Sequence, residues 1–144
     1  MAGTRKLTDA DYHELLGLRT GLRRFLRWSA QRAASVGLTP SQHQLLLAVR
    51  GHAGPAEPTV GDVADYLLVR HNSAVGLVNR AVEARLVERV RDTDDQRVVR
   101  VRLTPAGARK LELLAAEHLE ELRRVGLAFK NVSRGLGEEA HSRR

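Results

Sequence analysis

The segment from Thr59 to Leu103 restricts the fold more than any other part of the chain. It begins with apolar residues at positions i, i+3, i+4 and i+7, namely Val60, Val63, Ala64 and Leu67. This spacing predicts a short helix that Thr59 can cap. A second apolar series predicts another helix that buries Ala74, Leu77, Val78 and Ala81. We expect Asn72 or Ser73 to cap this second helix. Two short helices joined by a tight turn, with a small residue where they cross, are typical of a helix-turn-helix.

Two β-branched runs follow this pair of helices, and arginines alternate with apolar residues in both. The runs are Leu86–Arg91 and Val98–Leu103, and they flank an acidic tip, Asp92–Arg97. Such a pattern predicts an antiparallel hairpin. A helix-turn-helix followed by a hairpin is a winged helix, which is an architecture used to read DNA. We therefore predict a mainly α-helical fold with a small β-hairpin wing, in the α+β class.

Long amphipathic helices are predicted on both sides of this module. Asp9–Ser35 carries apolar residues at heptad-like spacing, namely Leu15, Leu18, Leu22, Phe25 or Leu26, and Ser29. Thr39, Pro40 and Gln42 form a helix start with a capping box, and that helix is expected to end before Gly51. A second Thr-Pro start opens the last helix, whose stripe is Leu111, Leu114, His118, Leu122 and Val125. We expect this helix to end near Leu136, at two glycines, with disorder beyond.

The chain is predicted to form one domain over residues 1–144. Its winged helix-turn-helix module spans 39–103, and its long helices at 9–36 and 105–136 serve dimerisation. A helix with an apolar stripe is not stable alone in water, so pairing with a second copy would bury both stripes. A symmetric dimer also separates two recognition helices by about 34 Å, which suits a palindromic site.

Composition and charge narrow the class of partner. The net charge of +7 and the isoelectric point near 10.9 favour a polyanion. Aromatic residues make up only 3% of the chain, which argues against a single-strand binder that stacks bases. Double-stranded DNA is therefore the expected partner. No apolar run is long enough to span a membrane and no secretory segment opens the chain, so we expect a cytoplasmic protein.

Several site chemistries are not expected from this sequence. Without cysteine, the chain has no disulfide, no thiolate metal site and no thiol redox switch. The 6 histidines show no spacing suited to a metal, and no cofactor is predicted. Nothing resembles a nucleophile–base pair, a phosphate-cradling loop or paired catalytic carboxylates, so the protein is not expected to be an enzyme.

From Leu86 onward the sequence resembles the wing of the MarR family, the regulators named after multiple antibiotic resistance. In that family an Asp-x-Arg pair lies at the wing tip and Leu-Thr-x-x-Gly follows, as in Asp95–Arg97 and Leu103–Gly107 here. Further matches are Leu38-Thr39, Leu45-Leu46, Val63-Ala64 and Leu77–Arg80, and the resemblance runs from about Leu15 to Leu127. It implies a homodimer that represses, or sometimes activates, nearby genes. It also implies release from DNA on binding a small aromatic or anionic effector.

Four positions depart from the family's pattern. Arg85 stands where members usually have Gly, at a position that often takes the left-handed conformation and that costs Arg roughly 1 kcal/mol more than Gly. Val75 and Gly76 stand where many members carry a polar pair that reaches bases. Gln96 replaces the more usual Arg before Arg97. The resemblance therefore transfers base-reading positions but no operator sequence.

The candidate DNA-binding residues lie on the second helix of the module and on the wing: His71, Asn72, Ser73, Gly76, Arg80, Asp95 and Arg97. The first three and Arg80 are expected to contact base edges or phosphates, and Arg97 to enter the minor groove with Asp95 orienting it. Alternatively, Asn72 or Ser73 only caps the helix and Arg80 only packs or pairs. The wing is then a solvent-exposed hairpin with a local ion pair that contributes little. Gly76 fits a close backbone approach either to DNA or to a neighbouring helix.

The sequence also offers candidate residues for an effector pocket. Trp28, His13 and His43 would line it, between the long helices and the reading module. The alternative is that Trp28 is simply a core residue. At the level of function, the main expectation is a sequence-specific, ligand-responsive repressor. The alternative is a winged helix used for protein contacts or for nonspecific binding to the nucleoid.

Overall fold

The computed structural model describes the backbone of residues 5–142 and the side chains of residues 5–126. Its elements are α1 (Asp9–Ser35), α2 (Pro40–Gly51), α3 (Val60–Leu67), α4 (His71–Glu83), β1 (Val87–Arg91), β2 (Val99–Leu103) and α5 (Pro105–Ser142). The predicted fold class, mainly helical with a two-stranded hairpin, is confirmed.

The predicted end of the last helix near Leu136 is wrong, because α5 continues to Ser142. Gly135 and Gly137 lie inside the helix rather than at its end. Glycine costs helix stability, roughly 1 kcal/mol against Ala, but unlike proline it keeps its backbone N–H donor. Two glycines therefore weaken a helix without interrupting its hydrogen bonds. Residues 143–144 lie outside the described residues.

The chain divides into two compact units, which we describe separately. The first unit comprises Met1–Ser29 and Glu117–Arg144, and the second comprises Ala30–Ala116. The winged module predicted at residues 39–103 lies wholly within the second unit.

The second unit is built around a continuous apolar core. Leu45, Leu46, Val63, Val78, Val87, Val101 and Leu114 supply its largest fully buried apolar side chains. These residues come from α2, α3, α4, both strands and the first part of α5. Each fully buried aliphatic side chain contributes about 1.5–3 kcal/mol relative to exposure. The core therefore fixes α3, α4 and the hairpin to one another.

Two threonines begin helices as the sequence predicted. The Thr39 hydroxyl accepts from the N–H of Gln42 at 3.1 Å, and the Gln42 side chain accepts from the N–H of Thr39 at 3.0 Å. Thr59 and Asp62 form the same reciprocal box at 3.1 and 2.9 Å. The N–H bond from Thr59 lowers the pKa of the Asp62 carboxyl below its ordinary value. Such a cap contributes about 1 kcal/mol.

The start of α4 differs from the expectation. Its N-cap is Arg70, with extended backbone and no side-chain cap hydrogen bond, so the predicted capping by Asn72 or Ser73 is wrong. Because the helix begins at His71, these two residues already lie within its first turn, with exposed side chains. The first N–H groups of α4 are consequently not satisfied by a side-chain cap.

Three helices end in the same way, with one residue in the left-handed conformation. Gly37 has φ 78°, Leu68 has φ 55° and Arg85 has φ 59°. At each end, the N–H of the following residue bonds back to a carbonyl five residues earlier, as in Leu86 to Ala81 at 2.9 Å. This is the hydrogen bond of the Schellman motif, which satisfies carbonyl groups of the last helical turn. The left-handed conformation expected at Arg85 is thus confirmed.

Arg85→Gly should raise the free energy of unfolding by about 1 kcal/mol, because glycine adopts the left-handed conformation without a Cβ penalty. Thermal denaturation of the variant beside the parent protein measures this gain. Arg85→Ala is the matched control, since it removes the guanidinium but keeps the strain. An equal gain in both variants would show that the arginine side chain, and not the backbone, causes the effect.

The hairpin is attached to the helices at both ends of its sequence. β1 and β2 pair antiparallel with Val87 opposite Leu103. The Val101 N–H also donates to the Pro58 carbonyl at 2.8 Å, so the segment before α3 extends the sheet. At Gly107, a Cβ would collide with the backbone carbonyl of Leu86. The Leu-Thr-x-x-Gly sequence therefore permits the start of α5 to pack closely against Leu86, in the link between α4 and β1.

Candidate nucleic-acid interface

One face of α4 is buried and the other is exposed. Ala74, Leu77, Val78 and Ala81 are buried, as the apolar spacing predicted. His71, Asn72, Ser73 and Arg80 are exposed to solvent along the helix. No carboxylate lies within 4.0 Å of the Arg80 guanidinium among the described side chains. A structural ion pair therefore does not account for Arg80 within the described residues.

Gly76 lies in the middle of this exposed face. A Cβ at this position would come within 4 Å of only one neighbouring atom outside the local helix backbone, the Arg80 Nη1 at 3.4 Å. That distance is ordinary van der Waals contact with a flexible side chain. Of the two explanations for Gly76, a close approach of a neighbouring helix finds no support in the described residues.

The wing tip holds Arg97 in one direction. Its Nε and Nη2 donate to the two carboxylate oxygens of Asp95 at 3.1 and 3.2 Å, and its backbone N–H donates to the same carboxylate at 3.0 Å. The side chain of Arg97 is nevertheless 91% exposed. Hydrogen bonding by the Arg97 side chain lowers the pKa of the Asp95 carboxyl, so this carboxyl is ionised at neutral pH. The expected orientation of Arg97 by Asp95 is thus present.

A groove of about 500 Å³ separates the wing from the starts of α3 and α4. It is lined by Thr59, Val60, Gly61, His71, Val75, Arg89, Arg97, Val98 and Val99. Arg89 was not among the predicted site residues, although the alternation of arginine with valine in β1 could have indicated it. Its guanidinium has no carboxylate within 4.0 Å among the described side chains. Arg89 therefore places a positive charge without a close carboxylate in the lining of the groove, which favours an anion such as phosphate.

The three residues predicted for an effector pocket are not brought together within either unit. His13 and Trp28 both lie on α1, separated by about 22 Å along the axis at about 1.5 Å per residue. His13 is exposed, and His43 is a buried residue of the second unit. A single small ligand does not contact both His13 and Trp28 of one helix.

Trp28 belongs to an aromatic cluster in the first unit. Its ring lies 4.8 Å from that of His118 and 6.0 Å from that of Phe25, measured between centroids. The His118 Nε2 is hydrogen-bonded to the buried Ser29 hydroxyl at 2.8 Å. The sequence predicted His118 only as a position in the apolar stripe of α5. Its neighbours could not be read from the pattern, since Ser29 and His118 are 89 residues apart.

Neither a metal site nor a membrane span is found in the part of the chain that the structure describes. Within it, no group of three or more His, Cys, Asp or Glu side chains is arranged to hold a metal ion. None of its helices combines the length and the apolar character that crossing a membrane requires.

Comparison with known proteins gives both sequence and fold matches. The MarR family model matches residues 36–98. A Bacillus subtilis protein described as the uncharacterized HTH-type transcriptional regulator YsmB is 29% identical over 82 residues. That alignment covers 57% of this chain and 56% of the relative, so it spans little more than half of the relative's length.

Solved structures extend the similarity to nearly the whole chain. AbsC of Streptomyces coelicolor, a MarR family transcriptional regulator, superposes with a TM-score of 0.73 at 20% identity and covers 96% of this chain and 97% of its own. BpsR of Bordetella bronchiseptica, whose DNA binding is regulated by 6-hydroxynicotinic acid, gives a TM-score of 0.62 at 21% identity, over 83% and 89% of the two chains. The resemblance to the MarR family is thereby confirmed: the chain has the winged-helix fold of MarR-family regulators, and its residues 36–98 match the family directly.

Proposed function

We propose that this protein is a sequence-specific regulator of transcription that binds double-stranded DNA as a homodimer on a palindromic operator. The observation that carries the proposal is the exposed face of α4 next to an arginine that the wing already holds in one direction. An α-helix with side chains is about 10–12 Å wide and the major groove about 12 Å wide, so α4 can enter it. The wing then meets the adjacent minor groove, where Arg97 would insert.

The first turn of α4 supports this docking. Its N–H groups have no side-chain cap, and the positive end of the helix dipole lies at the same place. Arg70 and His71 are exposed beside these groups. A backbone phosphate of DNA is the anion that such a helix start commonly accepts. Asn72 and Ser73, in the same turn, are then free of capping and available for base edges.

Homodimer formation is supported by the apolar surface of the first unit. Leu15 is 54% exposed, Leu26 is 60% exposed and Leu119 is 52% exposed. Further large apolar side chains of the same unit are exposed as well, namely Leu16, Leu22 and Leu122. A second copy would cover these leucines and remove them from water. Light scattering at micromolar concentration should give twice the 16.0 kDa mass of one chain. A mass of a single chain would contradict the dimer.

Selection from a random library of duplexes tests the proposed function directly. We expect the recovered sites to share a palindrome whose half-sites are about one DNA turn apart. Affinity for this palindrome should exceed affinity for random duplex by at least ~10³-fold. Weak binding without sequence preference, governed by salt alone, would instead favour the nonspecific nucleoid binder. No binding to any duplex would favour a winged helix used for protein contacts.

We further propose that a small aromatic or anionic effector, and not oxidation, releases the protein from its operator. The chain has no cysteine, so it lacks the thiolate on which oxidation sensing commonly depends. BpsR has a similar fold, and its DNA binding is regulated by 6-hydroxynicotinic acid, a small aromatic acid. To loosen operator binding ~100-fold, an effector must bind the DNA-free conformation about 2.7 kcal/mol more tightly than the DNA-competent one.

Titration of the operator-bound dimer with aromatic carboxylates, and separately with peroxide, checks this expectation. Aromatic acids at high concentration should release DNA in a saturable and reversible way, while peroxide should have no rapid effect. Rapid, reversible release by peroxide, with none by any aromatic acid, would contradict the proposal.

A further inference from the structure

Arg100 connects three segments that are separate in sequence. From β2, its Nε donates to the Asp92 carboxylate at 2.8 Å, at the near end of the wing tip. Its Nη1 donates to the backbone carbonyl of Glu57 at 2.8 Å, in the loop before α3. The Arg100 side chain is only 23% exposed, so both bonds are partly shielded from water. One guanidinium therefore ties the wing tip to the segment that leads into the helix-turn-helix.

Asp92 connects Arg100 to the backbone of the wing tip. While one of its oxygens accepts from Arg100, the other accepts from the backbone N–H groups of Asp94 at 3.2 Å and Asp95 at 3.0 Å. These bonds fix the turn that leads to Asp95. The hydrogen bond from Arg100 is the main reason why the pKa of the Asp92 carboxyl lies below its ordinary value. Asp92 is therefore ionised, and able to accept all three bonds, at neutral pH.

Asp95 is the last link before the residue that faces solvent. Its carboxylate holds the Arg97 guanidinium through two side-chain hydrogen bonds. The order of contacts thus runs from the Glu57 carbonyl to Arg100, then to Asp92 and the tip turn, and finally to Asp95 and Arg97. Arg97 is 91% exposed, so packing contributes little to holding it. Its direction depends on whatever fixes the tip.

We propose that Arg100 is a positioning residue for DNA binding, which fixes the wing tip against the loop before α3 and so sets the direction in which Arg97 meets the DNA. Arg100 does this without itself contacting the DNA. The inference rests on the proposed function, since it concerns how the same interface is held in shape. Pre-organisation of this kind lowers the entropy lost when a side chain is immobilised on binding.

Arg102 provides a matched control on the same strand and the same face. It pairs with Glu88 across the hairpin at 2.7 Å, and its side chain is 51% exposed. None of its described hydrogen bonds reaches the wing tip or the loop before α3. Arg102→Gln therefore removes one arginine and one ion pair from the hairpin, as Arg100→Gln does, but leaves the attachment of the tip in place.

A double-mutant cycle on the selected operator tests the inference. Arg100→Gln should weaken binding about tenfold when Arg97 is present, which is the size of effect expected for one specific arginine contact. In an Arg97→Ala background the same change should cost less than about twofold, because the residue that Arg100 positions is gone. Arg102→Gln should cost less than about twofold in both backgrounds. Equal losses from Arg100→Gln in both backgrounds would overturn the proposal, since they would mean direct contact with DNA or general damage.

Arg100→Lys separates positioning from charge. Lysine keeps the positive charge but replaces a planar fork with a single ammonium, which does not reproduce both bonds in this geometry. We expect Arg100→Lys to bind the operator nearly as weakly as Arg100→Gln. Full affinity in Arg100→Lys would overturn the proposal, because charge alone would then be sufficient.

A measurement on the DNA-free protein tests the attachment of the wing tip separately from the proposed function. Backbone order parameters of Asp94, Asp95 and Arg97, from nitrogen-15 relaxation, should fall in Arg100→Gln toward values typical of flexible loops. They should stay at the parent values in Arg102→Gln. Unchanged order in Arg100→Gln would overturn the attachment itself. Failure of the parent protein to bind any duplex would instead remove the proposed function while leaving the attachment measurable.

Discussion

Gly76→Ala is expected to make the protein more stable and at the same time a weaker DNA binder. Alanine is favoured over glycine inside a helix by roughly 1 kcal/mol, and the added Cβ meets only a flexible arginine at an ordinary contact distance. The melting temperature should therefore rise by a few degrees. No packing contact within the described part of the chain requires the glycine. The proposed contact of α4 with DNA would give it a role.

The loss of DNA affinity follows from the place of Gly76 on α4. It lies one turn after Asn72 and one turn before Arg80, on the face proposed to enter the major groove. If the α4 backbone approaches the bases or phosphates there, a methyl group forces the helix outward and weakens several contacts together. We expect operator affinity to fall at least ~10-fold, on the scale of ~1–3 kcal/mol for one lost specific contact.

Gly17→Ala serves as the control for helix stability, because Gly17 lies within α1 and a Cβ there would have no neighbour within 4 Å among the described atoms of its own protomer. It should give a similar gain in melting temperature with no loss of operator affinity. Unchanged or tighter DNA binding by Gly76→Ala would show that the α4 backbone does not approach DNA at this position.

Arg97→Ala should weaken DNA binding at least ~10-fold and make it less dependent on salt. Each phosphate neutralised by a cation adds about 0.9 to the slope of log affinity against log salt concentration. Two wings act in a dimer, so the slope should become shallower by about 2. Equilibrium binding at several salt concentrations measures both effects. Arg102→Ala, which removes another exposed hairpin arginine, should leave affinity and slope nearly unchanged.

Asp95→Asn separates the charge of Arg97 from its orientation. The variant keeps the arginine but loses the carboxylate that holds it, so we expect reduced affinity with an unchanged or steeper salt slope. The pKa of Asp95 is lowered in the folded state, so this pairing is present above the ordinary carboxyl range and is lost only when the pH falls below it. Operator binding should therefore not change between about pH 5.5 and 8 because of this pair. If Arg97→Ala altered neither affinity nor slope, the wing would have no part in binding.

Local signals explain why most of the fold was predictable. Thr39 with Gln42 and Thr59 with Asp62 lie three residues apart, and the capping box depends only on that spacing. The alternation of charged and apolar residues predicts both strands of the hairpin. The predicted starts differ by one residue from those of the observed strands, Val87–Arg91 and Val99–Leu103.

The features that were not predicted mostly depend on contacts between residues that are distant in sequence. Arg100 and Glu57 are 43 residues apart, and no periodicity brings them together. Arg89 looks like any other exposed strand residue until the groove beside His71 is seen. The start of α4 was placed incorrectly for a local reason. Four consecutive polar residues, from Arg70 to Ser73, offer several possible N-cap positions, and the N-cap in the structure is Arg70.

Replacing Leu68 and Arg85 with glycine would make the protein more tolerant of destabilising mutations elsewhere. Both are non-glycine residues in the left-handed conformation, and both side chains are exposed, Leu68 to 91%, so neither contributes its present side chain to the core. Replacing both with glycine would release about 2 kcal/mol of conformational strain. Native domains are stable by only about 5–15 kcal/mol, so this is a substantial share of the margin. A protein with both replacements would tolerate substitutions elsewhere that the parent chain could not, and would be a robust starting point for evolving a new operator preference.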